Sequence, residues 1–346
     1  MMIYIVNIYI GANILYFNKF YANLNHTARM SPILVEAGHA PPDTLPAQGS
    51  FTLVKIGSYV DDIENLSIRE SFWTANFYLW FSWIGPKELD PGNTFIIVNG
   101  TITKRDLLNE YHGDDNLHYQ RYRISAKLLK LFDTMRVPLE DHMLNIHIED
   151  GARDGHKLRY VADPDANLSS RTQIPGYKIV KHGTTVKLHT YKTSHGDPGK
   201  AADYKTTRTQ YIVGIEIQRN GLGVYLKIFV ALFAAMMLAL LNFFVSPSDV
   251  SPRFSLPSAA FFGAVSNSYV ANSLLPPSGT FGLVDFISVF GMGTIFLTIA
   301  LSLISNHIYV KKGDKSLAFI LDRTMFFVMA FCCLMFNIIL PMSALG

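Results

Sequence analysis

Four long stretches without a formal charge follow Lys227: Ile228–Val245, Phe254–Leu275, Phe286–Ile304 and Thr324–Met342. Each is long enough, or nearly so, to cross a hydrocarbon layer as a helix. Almost all charged residues lie ahead of them, so the chain reads as an aqueous part (residues 50–220) followed by a membrane part (221–346). Residues 1–49 stand apart as an apolar segment and a linker.

The second stretch differs from the others. Its 22 residues hold seven Ser or Asn: Ser255, Ser258, Ser266, Asn267, Ser268, Asn272 and Ser273. A helix facing only lipid has no use for so many hydroxyls and amides. Ser255, Ala259, Phe262, Ser266, Tyr269 and Ser273 recur at spacings of four and three, which puts them on one helical face. Two readings fit that face: it lines water, or its small residues let neighbouring helices approach closely.

Charged residues make up 16% of the chain and the net charge is +3, with no basic stripe, which sets nucleic acid aside. The two cysteines, Cys332 and Cys333, are adjacent in an apolar run, where neither a mutual disulfide nor a metal site is expected. Residues 1–22 fit a signal peptide lacking a positive start, an uncleaved anchor, or an extension ahead of a start at Met30. Residues 31–49 read as a Pro/Ala/Gly-rich linker.

Between Phe51 and Asn220 short apolar-alternating runs are separated by turn residues. Strands are expected at 51–60, 72–83, 94–99, 119–130, 143–149, 157–162, 177–191 and 206–218. This spacing predicts an antiparallel, immunoglobulin-like β-sandwich. Lys311, Lys312, Lys315 and Arg323 flank the last link between membrane stretches, and Arg253 falls in the first. The positive-inside rule then puts those links in the cytoplasm and the β-domain on the extracellular or periplasmic side of a plasma or bacterial inner membrane.

Several landmarks occur in a fixed order: the strand Asn76–Trp83, the turn Val137-Pro138-Leu139-Glu140-Asp141-His142 leading into Leu144–Asp150, Arg219 before the first membrane stretch, and Leu275-Pro276 … Asp285 between the second and third. Over residues 50–343 the chain resembles a prokaryote-type pentameric ligand-gated ion channel, a relative of the Cys-loop receptors without their disulfide. The resemblance implies a homopentamer with five copies of Phe254–Leu275 around a central pore. Phe262 and Tyr269 would narrow it, and Ser255 and Ser266 would offer oxygens to passing inorganic ions. It also implies that Arg219 meets Glu70 and Glu140 or Asp141, and that the turns bearing Glu70 and Pro138 press on Pro276–Val284 and Asp285. Agonist would bind under the hairpin Thr190–Lys205, where Tyr191 and Tyr204, with Tyr160 and Tyr177, form an aromatic pocket for a small molecule.

Protons are a rival stimulus, through His142, His147, His156, His182, His189 and His195. Selectivity stays open: an Asp249 ring favours cations, whereas Pro252-Arg253 without an adjacent carboxylate resembles anion-selective relatives. No catalytic motif, cofactor-binding motif or recognised metal spacing is present, so no enzyme activity is expected. Two further classes remain: a membrane-anchored binding module that does not conduct, and a tethered cell-surface enzyme.

Overall fold

Strand Phe72–Ile84 (β2) sets the inside of the β-rich half. Its odd-numbered residues Trp73, Phe77, Leu79, Phe81 and Trp83 are all buried, while the alternate residues from Phe72 to Ser82 are half-buried on the other face. Burying side chains of this size stabilises by about 1.5–3 kcal/mol each. The structure, a computed structural model, describes residues 2–36, 41–46, 49–193, 196, 205–276 and 279–346. The chain divides into two compact units, one of Met1–Tyr21, Asp133–Glu140 and Arg219–Gly346, the other of Ala22–Phe132 and Asp141–Gln218.

The β-unit contains β1 (Thr52–Ser67), β2, a single helical turn α2 (Pro91–Thr94), β3 (Phe95–Ile97), β4 (Gly100–His112), β5 (Leu117–Leu129), β6 (Asp141–Asp150), β7 (Leu158–Ala162), β8 (Asn167–Leu168), β9 (Tyr177–Tyr191) and most of β10 (Thr206–Arg219). One sheet runs β4-β5-β2-β1-β7 with β8 also on β1, and the second runs β3-β6-β10-β9. A single apolar core draws on both, with Val54, Ile56, Phe77 and Ile124 from the first sheet and Leu144, Ile146, Tyr211 and Ile215 from the second.

Two features depart from the sequence-based expectation. First, β7 and β8 pair parallel to β1, so the first sheet is mixed rather than antiparallel. Second, β4 occupies a stretch expected to be loop. None of its residues is buried, so its sequence carries no alternation to read.

In the helical unit, α3 (Gly221–Leu241), α4 (Val250–Ser273), α5 (Leu283–Lys311) and α6 (Lys315–Leu345) pack together, with α3 against the other three. Gly291 of α5 is required by that packing, because a Cβ there would come within 2.6 Å of the Leu232 side chain on α3. Asp314 caps α6 by accepting the Leu317 N–H at 2.9 Å, and Gly313 takes the left-handed φ of +73° that ends α5. Among the described residues three helices are long and apolar enough to cross a membrane: Gly221–Phe244, Leu283–Lys311 and Lys315–Leu345. On that criterion three of the four expected stretches qualify. The fourth, α4, carries the Ser and Asn residues.

Residues expected to be a leader or anchor belong to one long helix, α1 (Met2–Met30). Its first half belongs to the helical unit, where Leu15 is buried and Tyr4 donates to Thr294 Oγ1 at 3.3 Å. Tyr4 also meets Phe290 edge-on at 5.1 Å, and Phe290 stacks on Phe336 of α6 at 3.6 Å.

Arg253 also departs from expectation. It lies inside α4 rather than in a link, fully buried, with Asp322 of α6 2.7 Å away and Ser305 Oγ of α5 accepting from it at 3.3 Å. It is therefore a buried structural cation, and the topogenic role expected from a loop position does not apply to it.

Candidate functional site

Helix α4 has two unlike sides. Arg253, Pro257, Ala260, Ala264, Asn267 and Ala271 are buried at spacings of four and three. Against them, Ser255, Ala259, Phe262, Ser266, Tyr269 and Ser273 are all exposed, Phe262 at 73% and Tyr269 at 80%. The small residues of the buried side allow close approach to α3 and α5, and a Cβ added at Gly263 would lie 3.6 Å from Ala235 Cβ of α3. Ser255 and Ser273 donate back to the carbonyls of Pro252 and Val270, at 3.3 and 2.7 Å. Pro276, half-buried, follows the end of the helix.

A second cluster surrounds the turn that carries Pro138. Arg219 Nη1 donates to Glu140 Oε1 at 2.9 Å, and the Arg219 backbone N–H donates to the Glu140 carbonyl at 3.1 Å. The Glu140 side chain is only 1% exposed, so this ion pair is largely shielded from solvent on the Glu140 side. The same turn reaches the start of α5. Leu283 N–H donates to the Met135 carbonyl at 2.7 Å, and the Thr134 and Thr280 hydroxyls lie 3.4 Å apart. Asp285 accepts the Gly282 N–H at 2.9 Å and closes the first turn of α5. On the other side of the turn, Asn18 of α1 donates to Asp133 and accepts from Arg136, at 2.7 and 2.8 Å. Arg136 also reaches the Ala344 carbonyl at 3.4 Å. Arg219, Glu140, Pro138 and Asp285 therefore belong to one unit. Glu70, exposed on the β1–β2 turn, and Asp141, the first residue of β6, belong to the other.

The tyrosines of the expected aromatic pocket differ in their settings. Tyr160 lies in the core of the β-unit, 3% exposed and 6.2 Å from Phe81, so it presents no surface to a ligand. Tyr177 packs partly against the same core. Tyr191 donates to Glu149 Oε2 at 2.8 Å, and burial together with that carboxylate pushes its phenol far up. Tyr204 and His195 lie outside the described residues. His142 sits against Phe132 at 4.9 Å, whereas His147, on the opposite face of β6, pairs with Gln210 at 2.6 Å. Burial lowers the His147 pKa, outweighing the Gln210 bond.

A cleft that sequence reasoning missed lies on the outer face of β1, β2 and β5. It encloses about 590 Å³ and is lined by Tyr59, Tyr78, Trp80 and Tyr119, with Asp163 at its edge. Asp163 accepts from Trp80 Nε1 at 2.9 Å and pairs with Lys55 at 3.1 Å. Burial pushes its carboxyl up, but the bonds from Trp80, the Asp165 N–H and Lys55 outweigh that and hold it below the usual range. The available signal was the aromatic content of the outward positions of β2, Tyr78 and Trp80, beside an already apolar inward face. Gly57 fits under Trp80, because a Cβ there would lie within 2.5 Å of the indole.

Searched against models of known protein families the chain matches none, and no curated protein sequence matches it.

Proposed function

We propose that this chain is one subunit of a homopentameric, ligand- or proton-gated ion channel embedded in a plasma or bacterial inner membrane. In this reading the β-unit is an immunoglobulin-like sandwich on the outer side, and α3–α6 form a four-helix membrane bundle. Five copies of α4 surround a wet axis. The observation that carries the reading is the division of α4: the six residues of the polar–aromatic face are all exposed in the single chain, and the opposite six are buried. A helix of this composition, packed between two helices apolar enough to span, gains by turning its hydroxyls to water.

Phe262 and Tyr269 then form the narrow rings, and Ser255 and Ser266 supply oxygens. The contacts of the Pro138 turn with Arg219 and with the start of α5 offer a lever by which movement of that turn tilts α4. A ligand binding the open arrangement more tightly draws the ensemble toward it. The cleft beside Trp80, with an ionised Asp163 among aromatic rings, suits a small organic cation.

The test is ion flux into liposomes holding the purified full chain, under a pH step and under small amines. Flux that changes with Phe262→Ala or Ser266→Ala supports the channel. Absence of flux together with a one-chain mass in detergent would instead leave an anchored binding module.

A further inference from the structure

The outward face of the β6–β10 pair carries a cluster that the channel reading does not use. In the antiparallel register Gln218 lies opposite Asp141, Glu216 opposite Met143 and Gly214 opposite Asn145. Directly opposed residues share a face, so Asp141, Glu216, Asn145 and Gly214 all lie on the side away from the core residues Leu144, Ile146, Ile215 and Ile217.

The last turns of α1 cover this face. Met30 packs over Gly214, where a Cβ would collide with its sulfur. Arg29, one residue earlier, donates to Asn145 Oδ1 at 3.2 Å. His26, one helical turn before Met30, comes over the carboxylates. Its Nδ1 is 3.8 Å from Asp141 Oδ2. One donor atom from each of His26, Asp141 and Glu216 lies within 4.8 Å of the others.

We propose that His26, Asp141 and Glu216 bind a divalent first-row transition metal, with zinc as the best fit. An imidazole nitrogen with two carboxylate oxygens is a donor set such ions favour, and the imidazole argues against calcium or magnesium. Two of the ligands are set by strand register and the third by a helix fastened through Arg29 and Met30, so little ordering accompanies binding. The Asp141 side chain is 2% exposed, and an ion shared with Glu216 would relieve the repulsion between the two carboxylates. His26, at 13%, and Glu216 are less deeply buried, which leaves a route for the ion and room for water as a further ligand. The rival cation is a proton on His26, which would leave a plain ion pair.

The experiment uses the full chain in detergent, free of any affinity tag and stripped with a chelator, titrated with zinc alone by calorimetry. One saturable equivalent per chain is expected. Loss of one ligand should weaken binding at least about tenfold, since even outer partners of metal ligands cost that much. His26→Ala and the isosteric Glu216→Gln are the variants, and His182→Ala, whose imidazole bonds to Asn167, is the control that should leave binding unchanged. Far-UV circular dichroism checks that each variant is folded. X-ray absorption at the zinc edge should report nitrogen and oxygen neighbours only. No saturable uptake in the micromolar range would overturn the proposal, as would binding indifferent to both variants. Sulfur neighbours would do so too, because the only cysteines are Cys332 and Cys333 in α6.

Discussion

The Arg253 guanidinium and the Asp322 carboxylate lie 2.7 Å apart, and both side chains are sealed from solvent, at 0% and 2% exposure. Removing either partner leaves the other charge buried alone, which typically costs about 3–5 kcal/mol. Arg253→Met and Asp322→Asn are each expected to lower the thermal midpoint in detergent steeply. The double variant Arg253→Met/Asp322→Leu should recover most of the loss. Single variants as stable as the parent would show that the pair contributes little.

Arg219 and Glu140 form a pair of a different kind, because Arg219 remains a quarter exposed. Here the expected effect is on gating. Arg219→Ala should reach the membrane in normal amount yet need roughly tenfold more stimulus, in line with a coupling free energy of about 1.4 kcal/mol. Surface labelling and current recording measure the two quantities separately. An unchanged stimulus–response curve at normal surface density would refute the coupling role.

Cysteines placed singly on α4 test which side meets water. A charged, membrane-impermeant thiol reagent should modify Ser255→Cys, Ser266→Cys and Tyr269→Cys, and should spare Ala260→Cys, Ala264→Cys and Ala271→Cys. Reaction at both sets alike, or at neither, contradicts a wet exposed face. The native cysteines lie buried in α6 and give a low background.

Stability of the β-unit should fall with acid in a window set by His147. Burial holds its folded pKa below the ordinary 6.5. As pH drops through about 6.5 the unfolded chain takes up a proton that the folded chain refuses, so the contribution is complete above that pH and declines below it. His147 faces Gln210, with Arg29, Glu36 and His189 nearby, and those groups are kept in the variant. His147→Gln should flatten the slope between pH 6.5 and the folded value. All three tryptophans, Trp73, Trp80 and Trp83, lie on β2, so their fluorescence reports unfolding of this unit alone. A slope that persists in the variant assigns the effect to another group.

Much of this architecture could be read from local pattern. The run 72–83 was legible as a strand, and the spacing of Ser255 through Ser273 put six residues on one face of α4 without deciding between water and a neighbouring helix. What escaped depends on partners distant in sequence. Arg253 looked like a loop cation because its companion sits near the start of α6. Tyr160 looked available because nothing local reveals that β7 runs parallel to β1 with Phe81 behind it. The β1/β2/β5 cleft needed three strands laid side by side before Trp80 and Asp163 could meet. His26 falls between residues 1–22, read as a leader or anchor, and the linker, and only the covering of Gly214 by Met30 brings it to Asp141.

Strand β4 closes one border of the first sheet, and neither of its sides is apolar. Lys104, Arg105, Asp106, Asn109 and Glu110 line it, several in direct cross-strand register with β5. A rim carrying charges of both signs is a poor template for another backbone, because docking there would strip water from ions that gain no partner. Copies of this chain are thereby discouraged from pairing their sheets along this border.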